Sequence, residues 1–424
     1  MRRPRARRAR FLALLVVGAG SIALGVLTWR TSTAGPSRRL VRDIQSRAEA
    51  HFPRPGHVAT PTPGTFGVAA AGPWDGLAER EALSVDVELC RAVRDGEQPF
   101  STASPGCLRE MAGASAELAG LLEATHRSEA GPVPGLGTLD DTPDGIRART
   151  WSTLPYAARL AALRLRAELD TGQAPQALAT CVDLLALARD ASWGAGLAGR
   201  LPAVGVTEVA FRPCVAAIDA APADSRQAAG EALRRVEAGT PDLATILGEY
   251  ALGVRARAFA PYLPTEGLPP AVQAWAREGP AHDGGPLFAL QLGDTWHRIE
   301  GTLDDVVVAA RLPMEQRVAR LDRLSAGEKP FLNPAARYAF PQLGRAARTD
   351  ARARAQVRLL RASLAAEVFR ARQGRWPTAV ELAAEVGPSP EGPLSIEAHG
   401  DALTLADPTV PRGELVATVR AGPH

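Results

Sequence analysis

The chain has 424 residues, of which 46% are hydrophobic, and a formal net charge of +3. Seven arginines and no acid lie in residues 1–30, so residues 31–424 hold 42 basic and 46 acidic residues, a net charge of −4. The basic pI therefore arises mostly from the N-terminus. The composition gives no support for a nucleic-acid partner.

The N-terminus predicts a membrane anchor. Six arginines lie within residues 1–10, and residues 11–29 then run without a charge. A helix over this run is about 28 Å long, close to the thickness of a bilayer core. A cleaved signal peptide, with Ser32-Thr33-Ala34 as its cleavage site, is the alternative. The positive-inside rule keeps the arginines in the cytoplasm, so we expect a single pass with the body outside the cytoplasm.

The amino-acid composition indicates the kind of organism from which the chain comes. Lys329 is the single lysine among 49 basic residues, and Ala and Gly are abundant, as in GC-rich bacterial genomes. The expected location is therefore a bacterial inner membrane, with residues 1–10 in the cytoplasm and the body in the periplasm.

The rest of the chain is predicted to be mainly α. Residues 30–76 form a stalk helix (38–51) and a Pro/Gly-rich linker (52–76), followed by a helical body over 77–350 with a soft boundary at 131–145. A long helix plus a small α+β unit follows over 351–424. Apolar periodicity predicts helices at 77–93, 106–127, 146–170, 173–190, 203–220, 223–238, 241–259, 269–278, 287–311, 314–325 and 334–373.

The four cysteines are Cys90, Cys107, Cys181 and Cys214, with no C-x-x-C pair, a spacing that disfavours a zinc ribbon. Four cysteines permit three disulfide connectivities. Because antiparallel helices bring neighbouring cysteines to similar height, we predict Cys90 with Cys107 and Cys181 with Cys214 in an oxidising compartment. Four buried free thiols are the alternative.

Two amphipathic helices flank Thr171-Gly172. Gly172, Ala177 and Leu185 lie where a tetratricopeptide repeat unit has its turn glycine, its small contact residue and an apolar residue. Residues 157–190 therefore resemble such a unit, which implies a helical hairpin able to stack on neighbours. A generic helical hairpin is the alternative, since the sequence has no second copy at a 34-residue period.

The C-terminal tail changes character. After Gly374, Trp376 and Pro377, the segments "PLSIEA" and "ALTLA" flank His399-Gly400-Asp401 as strands flank a hairpin turn, and "GELVATVRA" predicts a further strand. Residues 355–424 thus resemble the tail of uncharacterised membrane-anchored bacterial envelope proteins and, more distantly, the helix-plus-sheet plan of pseudopilins.

One helix carries candidate catalytic residues. Asp294, His297 and Glu300 recur at three-residue steps, a pattern that suits metal binding or general acid-base chemistry. His126 and Glu129 repeat the H-x-x-E order. The alternative is an exposed polar helix face. The sequence contains no nucleophile elbow, Walker A loop or H-E-x-x-H motif, and we expect neither a cofactor nor a bound metal.

A candidate interaction surface lies on the long helix. Residues 345–375 hold nine arginines against Asp350 and Glu367, and Arg354, Arg358, Arg361 and Arg372 border an apolar stripe. One hypothesis is docking to an anionic protein or envelope polymer. The other is that these arginines pair inside the protein with acids from the remaining chain.

These patterns together predict a membrane-anchored, noncatalytic scaffolding or interaction protein of the bacterial envelope, with no nucleic-acid partner. The alternative is an envelope enzyme, possibly metal-dependent, that uses the Asp294/His297/Glu300 helix.

Overall fold

The computed structural model describes residues 18, 20–21, 23–24, 38–51, 65–83, 90–127, 133, 139–140, 147–148, 151–194, 196–259, 273, 300–327, 342–387, 394–408 and 416–420. The protein is mainly helical, with a small antiparallel sheet of three strands at its C-terminal end, as the sequence predicted. Of the predicted anchor, the five described residues are all helical, and four of them are exposed.

The helices are numbered in chain order. They are α1 Arg38–His51, α2 Phe66–Leu83, α3 Arg91–Arg94, α4 Pro105–Gly113, α5 Ser115–Ala124, α6 Thr153–Asp170, α7 Ala174–Ala191, α8 Gly196–Ala220, α9 Ala223–Gly239 and α10 Leu243–Phe259, then α11 through 300–309, α12 Met314–Gly327, α13 Leu343–Gln373 and α14 Ala379–Val386. The strands are β1 Leu139–Asp140, β2 Arg147–Ala148, β3 Ser395–His399, β4 Ala402–Ala406 and β5 Val416–Arg420.

The linker prediction was wrong for residues 66–76, which belong to α2. Phe66, Ala70, Trp74 and Leu77 recur at helical spacing and are at most 1% exposed. Burial of this apolar face outweighs the helix-breaking tendency of Pro73, which lies inside the helix. The linker prediction relied on the number of Pro and Gly residues in this segment and overlooked its apolar helix face.

The long helix predicted from residue 146 begins later. Arg147 and Ala148 form β2, which pairs antiparallel with β1, and α6 begins at Thr153. The predicted soft boundary at 131–145 does not separate two cores, because one buried apolar cluster includes Phe66 before it and Leu160 after it.

The predicted helical hairpin is confirmed as α6 and α7. Gly172 has φ +77°, its N–H donates to the Leu169 carbonyl, and the Gln173 N–H donates to the Glu168 carbonyl. This pattern is a Schellman motif, which ends a helix with a left-handed residue and favours glycine there.

Helix α8 packs against α6, α7, α10 and α13. Among the described residues it alone is long and apolar enough to cross a membrane, and 56% of its most apolar window is buried inside the protein. Its apolar character is therefore accounted for by its place in the core.

Both predicted disulfides are confirmed. Cys181 on α7 is bonded to Cys214 on α8, with Cα atoms 5.4 Å apart. Cys90, immediately before α3, is bonded to Cys107 on α4, with Cα atoms 5.6 Å apart. The second pair packs on Leu163 of α6 and fastens the α3–α4 segment to the body.

Helix α13 is a central element of the fold. Its C-terminal half packs against α8, α9, β4 and β5, within the main apolar cluster. Its first residues, with Leu343 and Ala347, join a second cluster formed with α10, α11 and α12. The tail at 351–424 therefore shares its core with the body.

The C-terminal elements agree with the predicted hairpin. Thr378 and Glu381 form a capping box at the start of α14. Strands β3 and β4 pair with Ser395 opposite Ala406, and Gly400 in the connecting turn has φ +61°. Strand β5 pairs with β4 on the other edge.

Helix α1 has the predicted bounds and lies on the body. Ile44 and Ala48 are fully buried, and α1 packs against α10. Arg47 Nη1 lies 2.8 Å from Asp304 Oδ1 of α11. The predicted stalk helix is therefore packed on the body.

Candidate functional site

Two of the arginines predicted to form a docking surface are bound inside the fold. Arg354 Nε donates to Asp350 Oδ2 at 2.8 Å, one turn earlier on α13. Arg358 is 8% exposed, and its Nε donates to Asp407 Oδ2, just after β4, at 2.7 Å. Neither guanidinium is presented as an open docking surface.

The other two lie nearer the surface. Arg361 forms an ion pair with Glu237 near the end of α9. Arg372 is exposed, and its Nη2 donates to Gln227 Oε1 at 3.1 Å. The predicted interaction surface is thus partly closed, and its use by a partner stays a prediction. The alternative of internal pairing holds for three of the four arginines, whose partner acids lie on α13 itself, just after β4 and on α9.

The predicted catalytic helix is described only from Glu300 onward, and Asp294 and His297 lie outside the described residues. Glu300 Oε1 accepts from Arg255 Nη2 at 2.9 Å, and Arg255 also donates to Asp304 at 2.9 Å. Because Arg255 is only 2% exposed, Glu300 serves to compensate a buried charge.

A groove of about 860 Å³ between α5, α7, α9 and the start of α10 joins several titratable groups. Its charged lining residues are His126, Arg127, Asp183, Arg189, Asp190, Arg235 and Asp242. Trp193, Thr125, Val236, Gly239 and Thr240 also line it.

A histidine and an aspartate form a pair on the groove wall. His126 Nε2 lies 2.7 Å from Asp183 Oδ1, and the His126 side chain is 63% exposed while that of Asp183 is 21% exposed. Burial raises the pKa of Asp183, and the bond to His126 only partly offsets this. Glu129, the other residue of the predicted H-x-x-E pair, lies outside the described residues.

A second ion pair lies deeper in the groove. Arg189 donates to Asp190 from Nε at 2.7 Å and from Nη2 at 2.8 Å, and its Nη2 also donates to the Thr125 carbonyl. Asp190 is 2% exposed. Burial raises the pKa of Asp190 to about 6 against the opposing effect of Arg189.

A smaller cavity of about 170 Å³, here called the inner cavity, adjoins the groove, and the two spaces share Arg189, Val236 and Thr240 in their walls. Its remaining lining residues are Leu185, Ala188, Arg200, Thr207, Glu237, Ala353, Arg354, Ala355, Val357 and Arg358. Four arginines and one glutamate therefore line this inner cavity.

Two arginines of the inner cavity share one carboxylate. Arg200 Nε donates to Asp350 Oδ1 at 2.7 Å, while Arg354 binds Oδ2 of the same group. Arg200 Nη1 also donates to Ser192 Oγ at 3.0 Å. Burial alone opposes ionisation of Asp350, but the two arginines outweigh it and lower the pKa of Asp350 to about 2.

The loop that leads into α8 is fixed by a buried carboxylate. Glu249 of α10 is fully buried and accepts from the main-chain N–H groups of Gly194 and Gly196 at 3.1 and 2.9 Å. Gly196 has φ +55°, and a Cβ there would lie 3.0 Å from the Tyr250 nitrogen. This contact holds Arg200, one turn later, in place.

The sequence interpretation missed the groove and the inner cavity, because their walls come from residues far apart in the chain. One signal was available: Arg200 interrupts an apolar run on α8, and an arginine in such a run is usually paired when buried. Nothing in the sequence identified Asp350 as its partner.

The described residues contain no group of three or more His, Cys, Asp or Glu side chains placed to hold a metal ion. Comparison of the chain with protein-family models, with curated proteins and with solved structures yields no match.

Proposed function

We propose that the chain is a membrane-anchored, noncatalytic binding protein of the bacterial envelope, with residues 11–29 as its anchor and the body in the periplasm. The observation that carries the location is that all four cysteines are in disulfides. Such bonds form and persist in oxidising compartments and are rare in the cytosol. The arginine-rich N-terminus before an apolar run supports the same topology.

The binding role is supported by the groove. Its walls belong to α7 and α9, which contribute to the main core, so the groove is held by packed helices. The hydroxyls of Thr125 and Thr240 donate to main-chain carbonyls of their own helices. Neither hydroxyl is therefore held against His126 as a nucleophile would be.

The charges of the groove indicate what kind of partner suits it. Arg127 and Arg235 are exposed on its rim, and the acids Asp183, Asp190 and Asp242 lie along the same lining. A protein segment that carries both signs of charge complements this surface better than a uniformly anionic polymer does.

The location is tested with a membrane-impermeant, mass-tagging maleimide applied to intact cells that have had their outer membrane made permeable. Four thiols should be tagged only after reduction. Free thiols that are tagged only after lysis, without reduction, would contradict the proposed compartment.

The binding role is tested by photocrosslinking in cells. A photoreactive phenylalanine replaces either Arg235, which lines the groove, or its exposed neighbour Arg234, which lies about 100° around α9 and lines a different pocket. A defined crosslinked product is expected from position 235 and not from 234. The same product at both positions, or none at 235, would contradict the use of the groove.

A further inference from the structure

The inner cavity presents guanidinium groups on a largely apolar wall. Arg189, Arg200, Arg354 and Arg358 line it, and Glu237 is the one acid among the described residues of the lining. Glu237 is itself bound by Arg361. A ligand in this space therefore meets mostly arginine donors.

The carboxylates that pair with these arginines stand outside the lining. Asp190 binds Arg189, Asp350 binds Arg200 and Arg354, and Asp407 binds Arg358. These ion pairs offset much of the unfavourable free energy of burying the arginines. None of the three carboxylates is among the described residues that line the cavity.

Apart from Thr207 and Thr240, the rest of the described lining is apolar. Leu185, Ala188, Val236, Ala353, Ala355 and Val357 form most of it. A ligand that fits must combine an anionic group with a small apolar part, because each class of wall atom is otherwise left without a suitable contact.

We propose that the inner cavity binds a carboxylate attached to a short apolar chain. A carboxylate accepts charge-assisted hydrogen bonds from several guanidinium groups at once, which matches a wall with four arginines. A cavity of about 150 Å³ holds one benzene molecule, so the volume of about 170 Å³ suits a chain of about five or six carbons.

This inference rests on the proposed function, because the inner cavity adjoins the groove. Arg189, Val236 and Thr240 are shared by the two walls. The carboxylate belongs either to a free small molecule or to the C-terminus of a protein segment held in the groove.

Arg354 is the arginine that can be changed with the least damage to the fold. Its side chain is 28% exposed, and Asp350 remains paired with Arg200 when Arg354 is absent. Arg372 lies on the same helix, is exposed and lines neither space. Arg354→Gln and Arg372→Gln are therefore a matched pair.

The experiment is calorimetric titration of the purified full chain in lipid nanodiscs. The probes are hexanoate, hexylamine as the charge control, and acetyl-Gly-Val with a free or an amidated C-terminus. Ala188→Leu is the third variant, because it adds apolar volume inside the cavity and retains every charge. Thermal unfolding of each variant confirms that it is folded.

The expected result is saturable binding of hexanoate or of the free-acid peptide at one site. Binding should weaken at least tenfold in Arg354→Gln and in Ala188→Leu and stay unchanged in Arg372→Gln. The tighter of the two acids identifies the source of the carboxylate. Hexylamine and the amidated peptide should not bind.

Two results would overturn the inference: no saturable binding of either acid, or binding that is equal in wild type, Arg354→Gln and Ala188→Leu. A crosslink at position 235 that persists under either result would leave the binding role of the groove standing. Loss of that crosslink as well would remove both proposals.

Discussion

Arg226 on α9 and Glu367 on α13 form a buried ion pair, with Nη1 2.7 Å from Oε2. Glu367 is fully buried, and Arg226 Nε also donates to the Ile218 carbonyl near the end of α8 at 2.8 Å. One guanidinium thus joins three helices of the core. Arg370 Nη2 reaches the same carboxylate oxygen at 3.0 Å.

Removing this carboxylate should destabilise the fold strongly. We expect Glu367→Gln to lower the free energy of unfolding by about 3 kcal/mol, because it leaves a buried guanidinium without its counter-charge. Urea denaturation measures the change. Arg348 lies on α13, like Glu367, and forms an exposed pair with Asp322 of α12. Arg348→Gln should lower the free energy of unfolding by less than about 1 kcal/mol. Equal losses would show that burial of the first pair does not matter.

The two disulfides should contribute unequally to stability. Cys181 and Cys214 are 33 residues apart, and Cys90 and Cys107 are 17 apart. The chain-entropy model then gives about 4 and about 3 kcal/mol at 25 °C for the two bonds. Paired Cys→Ala variants, compared by urea denaturation, measure both values. A loss near zero for Cys181→Ala with Cys214→Ala would refute a constraining role for that bond.

Asp190 should make stability fall as the pH rises from about 4 to about 6. Burial raises the pKa of Asp190 from 3.8 to about 6, so the folded state holds this proton more tightly than the unfolded state does. Asp190→Asn should reduce the fall in unfolding free energy between pH 4 and pH 7 by on the order of 2 kcal/mol.

Asp350 provides the internal contrast for that measurement. Its pKa is lowered to about 2, so its contribution is present above about pH 4 and is lost only in stronger acid. A pH profile between 4 and 7 that is identical in wild type and Asp190→Asn would contradict the assignment to Asp190.

Helix α2 should behave as part of the core. Trp74 is fully buried, and its ring meets that of Trp151 edge to face with centroids 6.3 Å apart. Trp74→Ala should therefore lower the unfolding free energy by about 3–5 kcal/mol. Val68→Ala, at a position 39% exposed on the same helix, should change it by about 0.5 kcal/mol or less. Similar small effects at both positions would contradict the packing of α2.

Local signals accounted for much of the fold. The bounds of α1, the left-handed Gly172 between α6 and α7, and the turn at Gly400 each depend on a few neighbouring residues. Both disulfides followed from the same kind of information, because helical hairpins place cysteines at similar height.

What the sequence did not reveal depends on contacts between distant segments. The nine arginines of residues 345–375 suggested an outward surface, but Arg358 lies against Asp407 and Arg361 against Glu237. Charge patterns do not say which acid a helix will meet. The groove was missed for the same reason, since Asp183 and Asp242 lie on different helices.

The two central ion pairs each join residues that are synthesised at different times. Arg200 is made 150 residues before Asp350, and Arg226 is made 141 residues before Glu367. At about 5–20 residues per second, each arginine waits on the order of 10 seconds for its partner.

During that interval α8, which is apolar enough to enter a bilayer, has not yet been covered by α13. The charges of Arg200, Glu208 and Arg212 then oppose its insertion together, because charged residues inside a membrane helix are unfavourable, by up to about 2.5–3.5 kcal/mol for one at the helix centre. These three charges, one of which later pairs with Asp350, thereby favour release of the nascent helix over its retention in the lipid.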